Sequence, residues 1–450
     1  MRIGVEMAHL SEGKTGGLVP HMQGVLEALF TGWPQHEIVL FGTSANEGLF
    51  PTVPAHVHRL KLPATGNFFP LLDAQASLLQ LDVLVSTYPF DFELTFPRAR
   101  QVVVIPDLQH EFFPDFFTPE TLLGRRTSFA KVLQGSGAIA TLSEHARQTL
   151  LDHPDKRCRD IFIMGPALRT EWERPTSDNL TQAERALLPS GDFFLYPANL
   201  WPHKNHRRLL EAFALFLEQA GRPVELVLTG YPEGWPELAR VFPGLPVRHL
   251  GFVRSSLLRV LLARARALTF FSLFEGFGIP LLEAFAAGTP VVCSNTTSLP
   301  EIGADAVVTC DPTEPAAMCA ALLRVFNDQA LRERLVARGR QRLVLFNWRT
   351  SADNLVAACT RVAQRAPLAV EIPWLPLQRL NQLVQEIEAD REAKHAVIHD
   401  LDAVCKARLA AIHLLDAECK ARLQPIHQVD APLPMWKKVR GWATRYGGRG

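Results

Sequence analysis

A chain of 450 residues with 47% apolar and 21% charged residues has the balance of an ordinary globular protein of two or three domains, and a net charge of +1 gives no overall field toward nucleic acid or acidic polymers. No stretch reaches the roughly 18 uninterrupted apolar residues of a membrane span, and the most apolar long window, 257–274, carries Arg259, Arg264 and Arg266. Met1-Arg2 runs straight into Ile3-Gly4-Val5, too short for a signal peptide, and the seven scattered cysteines contain no CxxC pair, so neither a disulfide framework nor a zinc site is expected and a reducing cytoplasm fits best.

Short apolar runs alternate with amphipathic stretches, the pattern of a parallel sheet covered by helices. In chain order, strands are expected near 3–6, 38–41, 83–86, 102–105 and 138–141, with helices near 18–30 and 122–134. Gly and Pro cluster between Gly165 and Pro175, where a linker is expected. A strand at 193–196 then leads to a helix over 206–219, whose Leu209, Leu210, Phe213 and Leu217 share one face and whose end is suited to a cap at Gly221. Further strands are expected at 225–228, 248–251, 268–271, 291–293 and 307–310. Two doubly wound domains in tandem, 1–168 and 169–365, place a ligand cleft at the carboxyl ends of both sheets.

Beyond Pro376 the character changes. The segment beginning at Ile398 recurs at Ile412, and a third Ile-His starts at Ile426, a period of 14 or two heptads. Ile398, Cys405, Ile412, Cys419 and Ile426 fill one heptad column, while Leu401 and Leu415 alternate with Arg408 and Arg422 in another. The seam over 376–428 is therefore only partly apolar. It predicts a long helix, which either forms a coiled coil with a second copy or a partner protein, or stays single. The tail, 431–450, interleaves Trp436, Trp442 and Tyr446 with Lys437, Lys438, Arg440, Arg445 and Arg449; it suits an anionic membrane surface, a solvated tail being the alternative.

The strongest local signal is Glu275-Gly-Phe-Gly-Ile-Pro-Leu-Leu-Glu283, directly after an expected strand. Gly276 and Gly278 let backbone come close to a ligand, Pro280 suits the first position of a helix, and Gly288 suits its end. A glycine turn entering a helix offers free amides and the positive end of the dipole to a diphosphate. Glu283, one turn in, can accept from two neighbouring hydroxyls such as those of a ribose, and Glu275 points beyond the phosphates. An ordinary strand–turn–helix connection is the alternative. A second signal is Lys204, in Tyr196-Pro-Ala-Asn-Leu-Trp-Pro-His-Lys204, a compact cation at a strand's carboxyl end facing the same cleft.

These segments resemble the retaining glycosyltransferases of the GT-B fold, over roughly residues 1–360 and most specifically over 193–355. The resemblance implies an α/β chain of two Rossmann-like domains, followed by the long helical extension, that transfers a hexose from a nucleotide-diphosphate sugar. GDP-mannose is the first choice of donor, a glycan or lipid-linked molecule the acceptor, and no metal or other cofactor is required. Glu275 and Glu283 match the family's paired glutamates; Glu283 would bind the donor ribose, and Glu275 with the amides of Phe277, Gly278 and Ile279 would hold the sugar. Lys204 matches the phosphate-binding lysine, Phe252 and Val253 the segment against the base, Gly16 and Gly17 the glycine loop near phosphates and acceptor, and Phe346-Asn-Trp348 the aromatic pair before the helix that crosses back to the first domain. Two positions depart from the pattern. Asn199 stands where members often carry Arg, and the histidine common after the strand ending at Ile105 is displaced by four positions to His110, carried over as a sugar contact, with a locally packed loop histidine as the alternative. Retention without an enzymic nucleophile suggests front-face displacement.

Two look-alikes fall away. Ser11-Glu-Gly-Lys-Thr15 ends like a nucleotide-hydrolase phosphate loop but has Ala8 where the glycine is required, and Asp400-Leu-Asp402 lies inside the helical repeat. A nucleotide-sugar epimerase on the same scaffold and a catalytically idle scaffold of a polysaccharide-assembly complex are the rivals.

Overall fold

The structure, a computed structural model, describes residues 1–11, 17–64, 67–169, 172 and 180–364, all within one unit, Met1–Ala369. Gly16, part of the expected linker, the 14-residue repeat and the basic tail lie outside the described residues.

The first lobe runs β1 (Arg2–Glu6), α1 (Leu18–Gly32), β2 (Glu37–Gly42), β3 (Val57–Lys61), α2 (Phe68–Leu78), β4 (Val83–Ser86), β5 (Gln101–Val104), α3 (Gln109–Phe112), α4 (Pro119–Gly135), β6 (Ala138–Thr141), α5 (Glu144–Asp152) and β7 (Ile161–Ile163). Its strands form a parallel seven-stranded sheet in the order β3-β2-β1-β4-β5-β6-β7. The five expected strands are its buried centre, with no exposed side chain from Val83 to Ser86 or from Ala138 to Thr141. The two edge strands carry no long apolar run: β3 reads Val-His-Arg-Leu-Lys with three exposed residues, and β7, Ile-Phe-Ile, has only three residues. An edge strand buries little, so its sequence need not advertise it. Helix α4 starts three residues earlier than expected because Thr118 Oγ1 caps the amide of Thr121 at 3.2 Å and Pro119 occupies the opening turn.

The second lobe begins with α6 (Gln182–Ala186), closed by a capping box between Thr181 and Glu184. It continues β8 (Phe193–Pro197), α7 (His206–Ala220), β9 (Glu225–Thr229), α8 (Trp235–Val241), β10 (Val247–His249), α9 (Ser255–Arg264), β11 (Ala267–Phe270), α10 (Ile279–Ala287), β12 (Val291–Ser294), α11 (Leu299–Gly303), β13 (Val307–Cys310), α12 (Pro315–Asn327) and α13 (Gln329–Leu343). The parallel sheet has the order β10-β9-β8-β11-β12-β13. On α7 the expected apolar face is buried at Leu209, Leu210 and Phe213, Phe216 joins it, and Gly221 ends the helix at φ 69°. Each sheet reverses its winding once, between β1 and β4 and between β8 and β11. Those reversals open crevices at the carboxyl ends of the strands.

The last described helix, α14 (Trp348–Gln364), follows the second lobe in sequence but belongs to the first in packing. Its Ala352, Leu355, Ala358, Cys359 and Val362 lie in one core cluster with Val19, Met22, Leu26 and Leu29 of α1. The Trp348 ring fills the space above Gly24, where a Cβ would stand 2.3 Å from it, and its Nε1 donates to the Leu168 carbonyl at 2.8 Å. Arg361 forks onto both oxygens of Asp160 at 2.9 Å. The helix therefore returns to the first lobe as its expected aromatic pair implies. Leu355 is 1% exposed. Leu355→Ala should lower stability by about 2–5 kcal/mol in chemical denaturation, with the loss centred on the first lobe.

Candidate active site between the lobes

The winding reversal of the second sheet sets two loops side by side. β8 feeds the turn carrying Lys204, and its neighbour β11 feeds the turn carrying Glu275. Lys204 Nζ donates to Glu275 Oε1 at 2.5 Å, and both side chains are 13% exposed. The ammonium also lies 5.2 Å from the centre of the Phe270 ring. The lysine backbone is fixed from both sides, its amide bonded to the Trp201 carbonyl at 2.8 Å and its carbonyl taking the hydroxyl of the buried Tyr196. A half-buried ion pair held this firmly is a charge reservoir at the mouth of the crevice, where an anionic ligand can take over the cation.

The Glu275 turn then enters α10. The helix opens at Ile279, one residue before the expected start, with Gly278 as a left-handed N-cap at φ 109°, so Pro280 is its second residue. No other residue fits at 278: a Cβ would stand 2.6 Å from Leu299 Cδ2 in a backbone conformation that L side chains rarely adopt. Glu283 is half-buried on this helix, one turn in, and Gly288 ends the helix at φ 71°. Phe277 turns its ring into the interior, edge-on to Phe346 at 5.7 Å, which leaves only its backbone to the crevice side.

Across the crevice stand the carboxyl ends of the first sheet. At Gly276 a Cβ would be 2.8 Å from the Pro106 carbonyl oxygen and 2.9 Å from Asp107 Oδ2, so only glycine lets this turn approach the end of β5. Gly17, at the start of α1, faces Ile279, with its Cβ position 3.1 Å from Ile279 Cδ1. Burial raises the Asp107 carboxyl above its ordinary range; the Gln109 amide, bonded to Oδ1 at 2.9 Å, pulls the other way, and the Arg125 and Lys204 cations oppose the Glu275 anion. Tyr88, beyond β4, feels the same Asp107 and Arg125 charges and sets its ring, tilted, 5.6 Å from that of His9, which follows β1. These groups trace the mouth of the first sheet from β1 through β5.

The remaining expected residues divide. Phe252 is 70% exposed and stacks on Tyr231 at 5.5 Å, the two rings forming a flat patch beyond β9 and β10; Val253 is half-buried behind it. Asn199 uses its side chain locally, Oδ1 accepting from the Tyr231 amide at 2.9 Å. His110 is not brought to the pair. It is 1% exposed, edge-on to Phe129 at 4.6 Å, and the charges acting on it are Glu111, Arg125, Arg126 and His153. His203, unremarked in the sequence, is nearer to the chemistry, since Lys204 and Glu275 are the charges that act on it. Among the described residues no group of three His, Cys, Asp or Glu side chains could hold a metal ion, and no helix is long and apolar enough to cross a membrane.

Two doubly wound lobes that face each other with their strand ends, a glycine turn opening a helix between them, make this a GT-B protein. Residues 181–342 match the family model of the group 1 glycosyl transferases. The O-antigen chain mannosyltransferase B of Escherichia coli is 30% identical over 278 residues, covering 60% of this chain and 72% of that protein. The serotype-specific mannosyltransferase WbdA, also of Escherichia coli, is 26% identical over 264 residues, 56% of this chain and 32% of WbdA. Among solved structures, a sucrose-phosphate synthase from Thermosynechococcus elongatus superposes with a TM-score of 0.62 at 17% identity, covering 81% of this chain and 100% of that one. The chain belongs to the group 1 glycosyltransferases and is a glycosyltransferase.

Four histidines near the crevice and the crossing helix are held low, each chiefly by burial: His21 and His206 to about 3, His110 and His203 to about 4. In the unfolded chain they titrate near about 6.5. Their neutral forms thus support folding fully above that value, and the support is lost as pH falls toward 4. Thermal midpoints should drop steadily between pH 7 and pH 4.5, and His110→Phe should flatten part of that drop.

Proposed function

We propose that the chain transfers a hexose, with mannose as first candidate, from a nucleoside-diphosphate sugar to a glycan or lipid-linked acceptor during assembly of a bacterial surface polysaccharide. The reaction retains anomeric configuration and needs no metal ion. The observation that carries this reading is the Lys204–Glu275 pair at the winding reversal, beside a glycine turn that opens α10. The mannosyltransferase names of the two Escherichia coli relatives support mannose and the polysaccharide setting.

In this reading the diphosphate rests on the free amides of Gly278 and Ile279, and Lys204 leaves Glu275 to take up phosphate charge. Glu283 holds the ribose hydroxyls, and the released Glu275 carboxylate turns to hydroxyls of the sugar. Phe252 and Tyr231 offer a ring face to the base. The acceptor hydroxyl approaches over the first lobe, where Asp107, Tyr88 and His9 line the mouth. The bond from the anomeric carbon to the diphosphate oxygen breaks while the acceptor oxygen bonds on the same face, and the departing phosphate oxygen takes the acceptor's proton. The protein contributes alignment and charge stabilisation.

The test is a panel of labelled nucleotide sugars, GDP-mannose, UDP-glucose and UDP-galactose, with and without lipid-linked oligosaccharide acceptors. One donor should give acceptor-dependent transfer that persists in chelator, with a product of the donor's anomeric configuration by NMR. Lys204→Ala should lower kcat by about 100-fold or more, and Glu283→Ala should mainly weaken donor binding. Turnover of donor without acceptor would favour an epimerase. No donor binding, with Glu283→Ala indistinguishable from the unaltered protein, would favour a scaffold.

A further inference from the structure

The Glu275–Gly278 turn is gripped from behind by the loop that follows β12. Thr297 Oγ1 accepts from the Glu275 amide at 3.2 Å, and Ser298 Oγ donates toward the carbonyls of Glu275 at 3.0 Å and Phe277 at 2.8 Å. Thr297 holds this grip at φ 56°, a left-handed conformation that is an outlier for a β-branched residue. Such strain persists only where the surroundings enforce it.

The same loop runs into α11, and there the second lobe reaches across to the first. The two oxygens of Glu301 accept from the amides of Glu144 and His145, both at 2.9 Å. These are opening amides of α5, which have no partner within their own helix, at the positive end of its dipole. Glu301 is anchored in turn by Arg342, which donates to the carbonyls of Glu301 at 2.5 Å and Ile302 at 3.0 Å. The residue that caps α5 from its own lobe is Ser143. Its Oγ accepts from the Ala146 amide at 3.1 Å and donates to the Gly276 carbonyl at 2.8 Å. The path thus closes on itself: from the Glu275 turn to Ser298, along the loop to Glu301, across to α5, and through Ser143 back to Gly276. It crosses between the lobes twice. Phe274, immediately before the turn, is packed by Phe112 and Phe113 of the first lobe at 5.4 and 6.0 Å.

We propose that Glu301 and Ser143 are positioning residues for transfer. Glu301 seats α5 on the second lobe, α5 holds Ser143 against the Gly276 carbonyl, and the donor turn takes its working shape only when both contacts are made. The inference builds on the reading of this turn as the donor site. Because these hydrogen bonds lie within the protein itself, they can be examined without any donor.

Amide hydrogen exchange of the full chain, followed by mass spectrometry, tests it on peptides covering 143–149 and 272–281. Glu301→Ala should speed exchange about tenfold in both peptides, the loss of a hydrogen bond at one lobe being felt at the other. Glu301→Gln, which keeps one acceptor oxygen, should fall between. Ser143→Ala should speed exchange in the 272–281 peptide. With whichever donor the panel accepts, the same variants should lower kcat while leaving donor KM nearly unchanged. Acceleration confined to 143–149 in Glu301→Ala would reduce Glu301 to a local cap and overturn the proposal, as would an unchanged 272–281 peptide in Ser143→Ala. Should Glu301→Ala fail to fold, Glu301→Gln and Ser143→Ala decide by the same criterion. A panel without turnover would sink the donor reading and leave the exchange result intact.

Discussion

The meeting of the two lobes at the candidate site depends on a missing side chain. At Gly276 the second lobe comes so near the Pro106 carbonyl and the Asp107 carboxyl that a single added carbon would sit inside van der Waals contact. That approach brings the end of β5 to the turn that opens α10, and so puts groups from both sheets around one crevice. It also sets the turn beside the half-buried Asp107, whose carboxyl is pushed upward chiefly by burial. Two sheets built separately are brought to a single crevice where this turn meets the end of β5.

The polar chemistry follows from where the sheets reverse. β8 and β11 are neighbours only because the winding changes direction between them, and this adjacency joins Lys204 to Glu275, 71 positions apart in sequence. Each keeps the other satisfied in a half-buried place where either alone would be expensive to hold. In the proposed donor complex, an arriving diphosphate would replace one carboxylate oxygen by several phosphate oxygens, and the freed glutamate would gain acceptor capacity for hydroxyls. A pair that can be exchanged in this way is ready for a charged, hydroxyl-rich ligand.

The sequence disclosed most where burial is two-sided. The central strands are continuous apolar runs, α7 has a clear apolar face, and Gly278, Pro280 and Gly288 mark the start and end of α10. Edge strands β3 and β7 escaped because they bury little, and α14 was legible only through the aromatic pair before it. In the candidate site, Glu275, Glu283, Lys204, Gly276 and Gly278 stood out in the sequence because a turn constrains its own residues locally. His110 illustrates the opposite case: its nearness in sequence to Asp107 says nothing of the Phe129 ring that encloses it. Ser143 and Glu301 gave no sign at all. Their partners in the opposite lobe lie more than 130 positions away, at hydrogen bonds that exist only once both lobes are assembled.

Helix α14 has a consequence for how the chain comes to be folded. Its Leu355, Ala358 and Val362 complete a core whose members from α1 were synthesised more than 300 residues earlier. As the polypeptide leaves the ribosome, the lobe that emerges first must wait with an apolar face uncovered while the whole of the later lobe is made. The later lobe has its sheet and helices in one continuous stretch and can close on its own schedule. Order of synthesis and order of completion are therefore reversed: the amino-terminal half is finished last, by the piece of chain that follows the carboxyl-terminal half.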